Sequence, residues 1–447
     1  MLKELVSRCF GWRASLAFAL AATVGIVILG RPSLAGATSA STDNYSPAAP
    51  EPGTDIPLID VKFAMRPYAD NTFYVIAMKK GWFKDVGITI RPEPEGMKVT
   101  DTNVNALLLN RQLDISSQYC PLMLPIYKTS DRLKCIAFTD NFLGMAILAN
   151  PKLGLKGFDE HFAEGKNFEK AIKAAMEPMQ GKTLVGAPQL SDRPFNEAVS
   201  KYSGVTWNLD VMDDAKALVL AKAGRVNFVN PEGAPIVYTL MQDGWTVLIN
   251  NGHLYDHAPA APDSPIQKLV AIVGIGANGD FVNKNQNTVL RFLSVVWRTI
   301  DAVKKDPSLF ELQAPYLNSV AGTSLDAAGV EATIKRLDPL SPFEYGSTYF
   351  EDKNSVLYWL NAWPAIIKDY VAHGVIPEGA VSADDFVWAA PIWQRMKSYH
   401  DKTDELLAKL AGQELSGDKR ALVEKAKQYY EWYDFLDAYR LAVAASS

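Results

Sequence analysis

The chain has 447 residues, 48% of them hydrophobic and 21% charged, which suits a globular protein with a large core. Its length exceeds what a single core usually holds, so two lobes are expected. The formal net charge is −5, and the first 35 residues carry Lys3, Arg8, Arg13 and Arg31 against Glu4, so the remainder stands at −8 without them. An acidic chain with no basic tract excludes a nucleic-acid partner, because phosphate binding relies on clustered Lys and Arg.

The N-terminus opens with Lys3, Arg8 and Arg13 before the apolar run "ASLAFALAATVGIVIL" (14–29), and small residues follow at Ser33, Ala35 and Ala37. A basic segment, an apolar segment and a small-residue cleavage site read as a secretory signal peptide over residues 1–35; an uncleaved membrane anchor is the alternative. Residues 36–57 are rich in Ser, Thr, Ala and Pro and are expected to form a flexible linker. Beyond the leader only Cys120 and Cys135 remain. Their positions relative to the expected strands put them at opposite edges of a sheet, so two free thiols are expected.

Periodic structure begins with "VKFAM" (61–65), a strand candidate. "NTFYVIAMKK" (71–80) fits a short helix, with Phe73, Ile76 and Met78 available to pack. In "KKGWFKDVGITI" (79–90), Gly81 stands where a helix ends in the left-handed conformation, Trp82 and Phe83 fold back, and Ile88 and Ile90 resume a strand. The whole is a βαβ unit of about thirty residues, the building block of a parallel sheet.

The alternation continues. "ALLLN" (106–110) reads as helix, and "LDISSQ" (113–118), "LKCIAFT" (133–139) and "MAILANP" (145–151) read as strands, the last leaving the first lobe. A second set comprises "KTLVGAP", "WNLDVM", "RVNFVN" and "WTVLIN", starting at Lys182, Trp207, Arg225 and Trp245. "LVAIVGIG" (269–276) then reads as a return strand, and everything after Asn285 as helix. Two strands therefore join the lobes, which makes a hinge with a cleft between the halves. In the helix expected over 286–304, Val289, Phe292, Leu293, Val296, Trp297, Ile300 and Val303 form the buried stripe, with Arg291 off it. The aromatic-rich C-terminus, broken at 412–419, reads as a helical hairpin docked on a lobe.

Catalytic motifs fail when checked. "GIGANG" (274–279) matches G-x-G-x-x-G but lacks βαβ context, since the polar segment after it does not read as an immediate helix. "GKT" (181–183) lacks the upstream glycine of a phosphate-binding loop, and no G-x-S-x-G or H-E-x-x-H occurs. His253, Asp256 and His257 fall in an expected loop, where metal-binding geometry is not assured, and no metal site is expected. What recurs is a polar cluster after each expected strand: "RPYADNT" (66–72), "SSQYCP" (116–121), "FTDN" (138–141), "PQLSDRP" (188–194) and "NPEG" (230–233). In open α/β sheets ligands lie outside the carboxyl ends of the strands, where helix starts present unpaired N–H groups. Pro121 suits a first helical turn, and Asn230 with Pro231 reads as a helix cap. Tyr68, Phe73, Tyr119 and Phe138 beside the clusters suggest an organic ligand clamped by rings.

The stretch "FYVIAMKKGWFKDVGITI" resembles the pattern of the periplasmic substrate-binding proteins of ABC importers in the nitrate/sulfonate/taurine/thiamine-pyrimidine group. "NALLLNRQLDIS" is similar to that group's helix and following strand, with Asn110-Arg111-Gln112 in place of the usual glycine-containing turn, and "HGVIPEGAVSADDFV" is similar to its closing segment. The resemblance covers residues 58–395 in element order. It implies a type II, two-lobed periplasmic-binding-protein-like fold: two parallel-sheet α/β lobes joined by a two-strand hinge, plus a C-terminal helical extension. The divisions it implies are 58–148 and 268–396 for the first lobe, 149–267 for the second and 397–447 for the extension.

It also implies a non-catalytic, cofactor-free monomer in the periplasm. Such a protein captures a small polar or anionic organic solute, a sulfonate, carboxylate or heterocycle, and delivers it to an ABC transporter permease in the inner membrane. By position the first cluster would supply Arg66, Tyr68, Asp70 and Asn71, the second Ser117, Gln118 and Tyr119, and the third Thr139 and Asn141. Gln189, Ser191 and Arg193 would come from the fourth, and Asn230 and Glu232 from the fifth. Arg66 or Arg193 would neutralise an anionic ligand. A pyrimidine-synthase-like enzyme, or a sensory ligand-binding protein, on the same fold are the alternatives.

Overall fold

A short unit of strand, helix and strand starts the fold. Strand β1 (Ile59–Met65) buries Val61, Phe63, Ala64 and Met65, and the helices Ala69–Thr72 and Tyr74–Lys80 follow, meeting at Phe73. Gly81 ends the second helix at φ 76°, and its N–H bonds to the carbonyls of Ala77 and Met78. That conformation is cheap only for glycine and turns the chain sharply. Trp82–Asp85 adds one helical turn, and strand β2 (Ile88–Arg91) then lies parallel to β1 with Ile88 opposite Ile59.

This computed structural model describes residues 45, 47, 49–186, 192–259 and 265–447, all within one unit, Ala40–Ser447. The expected signal peptide lies outside the described residues, and among those described no helix is long and apolar enough to cross a membrane.

The first sheet continues with β3 (Met97–Lys98), β4 (Ile115–Gln118) and β5 (Leu133–Asn141). The second contains β6 (Ala146–Ala149), β7 (Thr183–Gly186), β8 (Asn208–Val211), β9 (Phe228–Asn230) and β10 (Thr246–Asn250). The chain then returns to the first sheet as β11 (Ile272–Asn278). The strand orders are β2-β1-β4-β11-β5, with β3 beside β1, and β10-β6-β9-β7-β8. Both sheets are mixed, where parallel sheets were expected. β11 runs antiparallel to β4 and β5, and β6 runs antiparallel to β9 and β10. These are the two strands that arrive from the other sheet. Each starts at the carboxyl edge where its neighbours end, so it must run against them.

Alternation along β6 sends Ala146 and Leu148 to one face and Ile147 and Ala149 to the other, each face with its own apolar cluster. A sheet covered on both faces buries its backbone as well as its side chains. The first sheet shares one cluster with the long helix Gln286–Lys305 and with Tyr429, Phe435, Leu436 and Leu441 of the C-terminal helices. The expected buried stripe of the long helix is buried, but so is Arg291. The C-terminal helix Phe435–Ser446 covers that face, and Arg291 Nε donates to Asp437 Oδ2 at 2.7 Å while its Nη2 reaches Glu51 at 3.1 Å. The described part of the expected flexible linker is likewise docked. Tyr45 is buried against Trp388, and the carbonyls of Pro47 and Asp55 accept from Arg395 and Arg440.

Other local expectations change. Arg111, in the turn where the resembling family has glycine, takes φ 59°. Cys120 and Cys135 are free and buried but neighbours rather than at opposite edges, because the 3-10 helix Cys120–Lys128 folds back over the sheet. Burial, and then the Cys120 thiol, push the Cys135 thiol up. A short helix, Gly279–Lys284, does follow "GIGANG" immediately. Even so β11 is antiparallel to both neighbours, and the glycine at 274 serves packing: a Cβ there would lie 1.9 Å from the Ala137 carbonyl oxygen. His253 and His257 lie on the helix Asn251–His257, not in a loop. His253 caps it with Asn250 and sits 3.0 Å from Asp159, while His257 packs on Phe162. Asn230 ends β9 instead of capping a helix; its Nδ2 donates to the Ala146 carbonyl, and the next helix, Ala234–Gln242, starts after Gly233.

Candidate ligand-binding cavity between the sheets

At the carboxyl end of β1 the chain stays extended through Tyr68, at φ −122° and ψ 160°, before turning into a helix. That carries Arg66 off the sheet edge and buries it. Its backbone N–H donates to Ser117 Oγ at 3.1 Å, tying the edges of β1 and β4 together. Its guanidinium forms an ion pair with Asp101 and lies 4.7 Å over the Tyr68 ring, and the Tyr68 hydroxyl donates to the other Asp101 oxygen at 2.6 Å. Burial alone would depress the Arg66 pKa, but the Asp101 carboxylate outweighs it and the guanidinium stays charged.

Beside Arg66 and Tyr68 lies a small cavity of about 40 Å³, partly open to solvent. Arg66, Tyr68, Asp70, Asn71 and Tyr119 line it from the edge of the first sheet. Phe142 and Met145, on the crossing between β5 and β6, and Val273, on the returning β11, line its back. Asp192, the first residue of the helix Asp192–Ser203, closes it from the second sheet with Glu232 and Ala234 beyond β9. Tyr68 and Glu232 also border a wider groove that takes in Asp101, Asp213 and Asp214. Asp214 accepts from the backbone N–H groups of Glu232 and Gly233, the latter at 2.8 Å, which holds this strand end in place.

The electrostatics are one-sided. Burial pushes Asp70 up to about 6 against the pull of Arg66, and pushes Asp214 up to about 6 against its backbone hydrogen bonds. Burial and then Asp214 raise Asp192 well above the carboxylate range, and burial with Asp192, Asp214 and Asp101 does the same to Glu232. Behind Asp70, the buried Asp140 and Asp338 are raised by burial first and by Asp70 next.

Of the residues named from the sequence, the structure brings six to this cavity: Arg66, Tyr68, Asp70, Asn71, Tyr119 and Glu232. Gln189 and Ser191 lie outside the described residues. Ser117 supports the Arg66 backbone, Gln118 donates to Asn105 at 2.8 Å, Thr139 donates to Asp140 at 2.9 Å, and Asn230 accepts from Asn196 at 2.9 Å. Asn141 ends β5 one residue before the lining Phe142. Arg193 turns outward to Asp369 and to Glu197, 3.0 Å away. Both arginines expected to meet an anionic ligand are thus already held by carboxylates. Phe73 and Phe138, expected as clamps, are core: Phe73 stacks on Tyr74, and Phe138 stacks on Phe350 and meets Tyr349 edge-on. Sequence reasoning did not select Phe142, Met145, Asp192 or Val273. Asp192 stands inside the quoted "PQLSDRP" and Phe142 directly after "FTDN", so the strand-end rule reaches both.

Among the described residues, one trio could place three ligand atoms around a metal ion: Glu197, Asp369 and His373. Asp369 already carries Arg193 and, at 3.1 Å, Lys268, so cationic side chains occupy that position.

Two mixed α/β sheets, two crossing strands and strand-end residues converging between them decide the architecture. The fold is that of the periplasmic binding proteins. An alkanesulfonate-binding protein from Xanthomonas axonopodis pv. citri, solved bound to MOPS, superposes with a TM-score of 0.50 at 14% identity, over 74% of this chain and 97% of its own. The periplasmic nitrate-binding protein of Synechocystis superposes with a TM-score of 0.51 at 13% identity, over 78% of this chain and 89% of its own. No protein-family model and no curated protein matches the sequence.

Proposed function

We propose that this is an exported, non-catalytic solute-binding protein. It holds a small polar organic solute in the cavity between the sheets and passes it to an ABC importer permease in the inner membrane. The supporting observation is the cavity itself. Residues from the ends of β1, β4 and β9 and from the start of the helix after β7 meet across it, and the two crossing strands run beside it. That arrangement lets the halves close on a ligand about the crossing segments, so the ligand adds contacts available only in the closed state. We take residues 58–148 with 268–396, and 149–267, as the moving lobes of a monomer. The fold neighbours are proteins that bind alkanesulfonate and nitrate, which favours solute capture over catalysis.

The test is native mass spectrometry of protein isolated gently from its own host, with small-angle scattering before and after the released compound is added back. A released small molecule and a compaction on its return are expected. A protein that carries no small molecule and keeps one radius of gyration in its presence overturns the reading.

A further inference from the structure

Resting on that solute-binding reading, we propose that the solute is an organic cation bearing N–H groups, a small ammonium or amidinium with an apolar body, and not a sulfonate, carboxylate or nitrate. The first observation is charge. The cavity presents Arg66 against Asp70, Asp192 and Glu232, and the groove continuing from it past Tyr68 adds Asp101, Asp213 and Asp214 with no basic residue among the described residues. Arg66 is engaged by Asp101 and covered by the Tyr68 ring. An anion entering here at neutral pH would face the Asp70 and Asp214 carboxylates, with the Arg66 guanidinium already neutralised.

The second observation is independent of charge and concerns lone pairs. Asp192 is 4% exposed and its Oδ2 has no hydrogen-bond partner among the described residues. Asn71 is 1% exposed, its Nδ2 donates to Asp70, and its Oδ1 has no partner among the described residues either. Both residues line the cavity. The Asn71 oxygen is satisfied only by a donor, and the Asp192 carboxyl, kept protonated by burial in the ligand-free cavity, accepts one once a cation displaces that proton. Nitrate and the simple alkanesulfonates and alkanecarboxylates offer none, whereas an ammonium or amidinium offers two or more along with the matching charge. A quaternary ammonium has the charge but leaves both oxygens orphaned. The walls suit the rest of such a molecule: the Tyr68, Tyr119 and Phe142 rings with Met145 and Val273 accept an apolar body, and rings attract cations.

The experiment is calorimetric and thermal-shift titration of the full chain at neutral pH and low salt. Benzylamine and benzamidine serve as N–H cations, tetramethylammonium as a cation without N–H, and ethanesulfonate and nitrate as anions. The N–H cations are expected to bind and to raise Tm, tetramethylammonium to bind about tenfold more weakly or worse, and the anions not to bind. Asp192→Asn is expected to weaken benzamidine about ten- to a hundredfold while the ligand-free Tm stays near that of the wild type, since the amide keeps the shape of a carboxyl that is neutral until a cation binds. Glu232→Gln provides the same comparison should Asp192→Asn fold poorly. Binding of ethanesulfonate or nitrate where both amines fail overturns the cation assignment and leaves solute binding standing. So does equal amine affinity in both variants. No binding by any probe, with no compound released from the host-isolated protein, overturns both.

Discussion

On the proposed solute-binding reading, closure of the cleft is held by a charged node that can be cut with one atom exchange. Asp369, on the helix Trp359–Ala372, belongs to the first sheet's side, where Trp363, Ile366 and Tyr370 join that core. Arg193 sits on the helix Asp192–Ser203, whose Phe195, Ala198 and Val199 join the second sheet's core. The Arg193–Asp369 pair therefore spans the two halves, one residue from the cavity-lining Asp192. Lys268, in the turn before β11, adds a second donor to Asp369 at 3.1 Å. Burial would raise the Asp369 pKa, but the hydrogen bonds from Arg193 and Lys268 outweigh it and hold the carboxyl below its usual value.

Asp369→Asn keeps the shape and removes the charge. A buried charge-assisted hydrogen bond contributes about 1.5–3 kcal/mol. Here Asp369 is 2% exposed but Arg193 and Lys268 are 23% and 37% exposed, so screening brings the two together to about 1–2 kcal/mol. Arg193 keeps Glu197 as a partner, which limits the loss further. A change of about 1–2 kcal/mol moves the closed-to-open ratio about five- to thirtyfold, and the apparent Kd rises by up to the same factor. Small-angle scattering reads the shift as a larger mean radius of gyration at subsaturating ligand, and calorimetry reads the affinity. The wild-type advantage is present above about pH 4, the unfolded carboxyl value, and fades as pH falls through the lower folded value. An Asp369→Asn protein with unchanged affinity and an unchanged scattering profile refutes the latch.

The cavity carboxyls make a separate prediction about pH. Asp70, facing Arg66, Asn71, Asp140 and Asp338, and Asp214, facing the Glu232 and Gly233 N–H groups with Asp101 and Asp213, are both pushed up to about 6. A raised folded value means the folded state binds more protons than the unfolded state between about pH 4 and 6, so ligand-free stability falls across that window as pH rises, by about 2–3 kcal/mol per group. Thermal melts should show a higher Tm near pH 5 than near pH 7.5, and Asp70→Asn should flatten the slope. In the C-terminal extension, Asp437 accepts from Arg291 and Arg440, both almost fully buried. Asp437→Ala leaves Arg440 without its carboxylate and Arg291 with only Glu51, so a loss of about 3–5 kcal/mol is expected by urea denaturation; a midpoint unchanged from wild type would show the extension to be an independent appendage.

Much of this protein is determined by the sequence alone, because local patterns carry it. A glycine after a basic helix end, two aromatics and an alternating strand can be built in few ways, and the β1–β2 unit forms as its periodicity requires. The same holds for the strand candidates from residue 61 to residue 276, each of which is a strand. Strand ends in turn point to polar clusters, and from them to the Arg66, Tyr68, Asp70, Asn71, Tyr119 and Glu232 that meet in the cavity.

Tertiary structure decides what lies between distant segments. The antiparallel direction of β6 and β11 follows from which sheet edge they reach first, and no residue within them encodes it. Arg291 looks like a surface residue until the helix Phe435–Ser446, more than a hundred residues later, covers it with Asp437. Arg66 looks like an anion receptor until Asp101, from a loop with no motif, takes its charge. Charge in a site is a sum over neighbours, and the neighbours of Arg66 are set by folding.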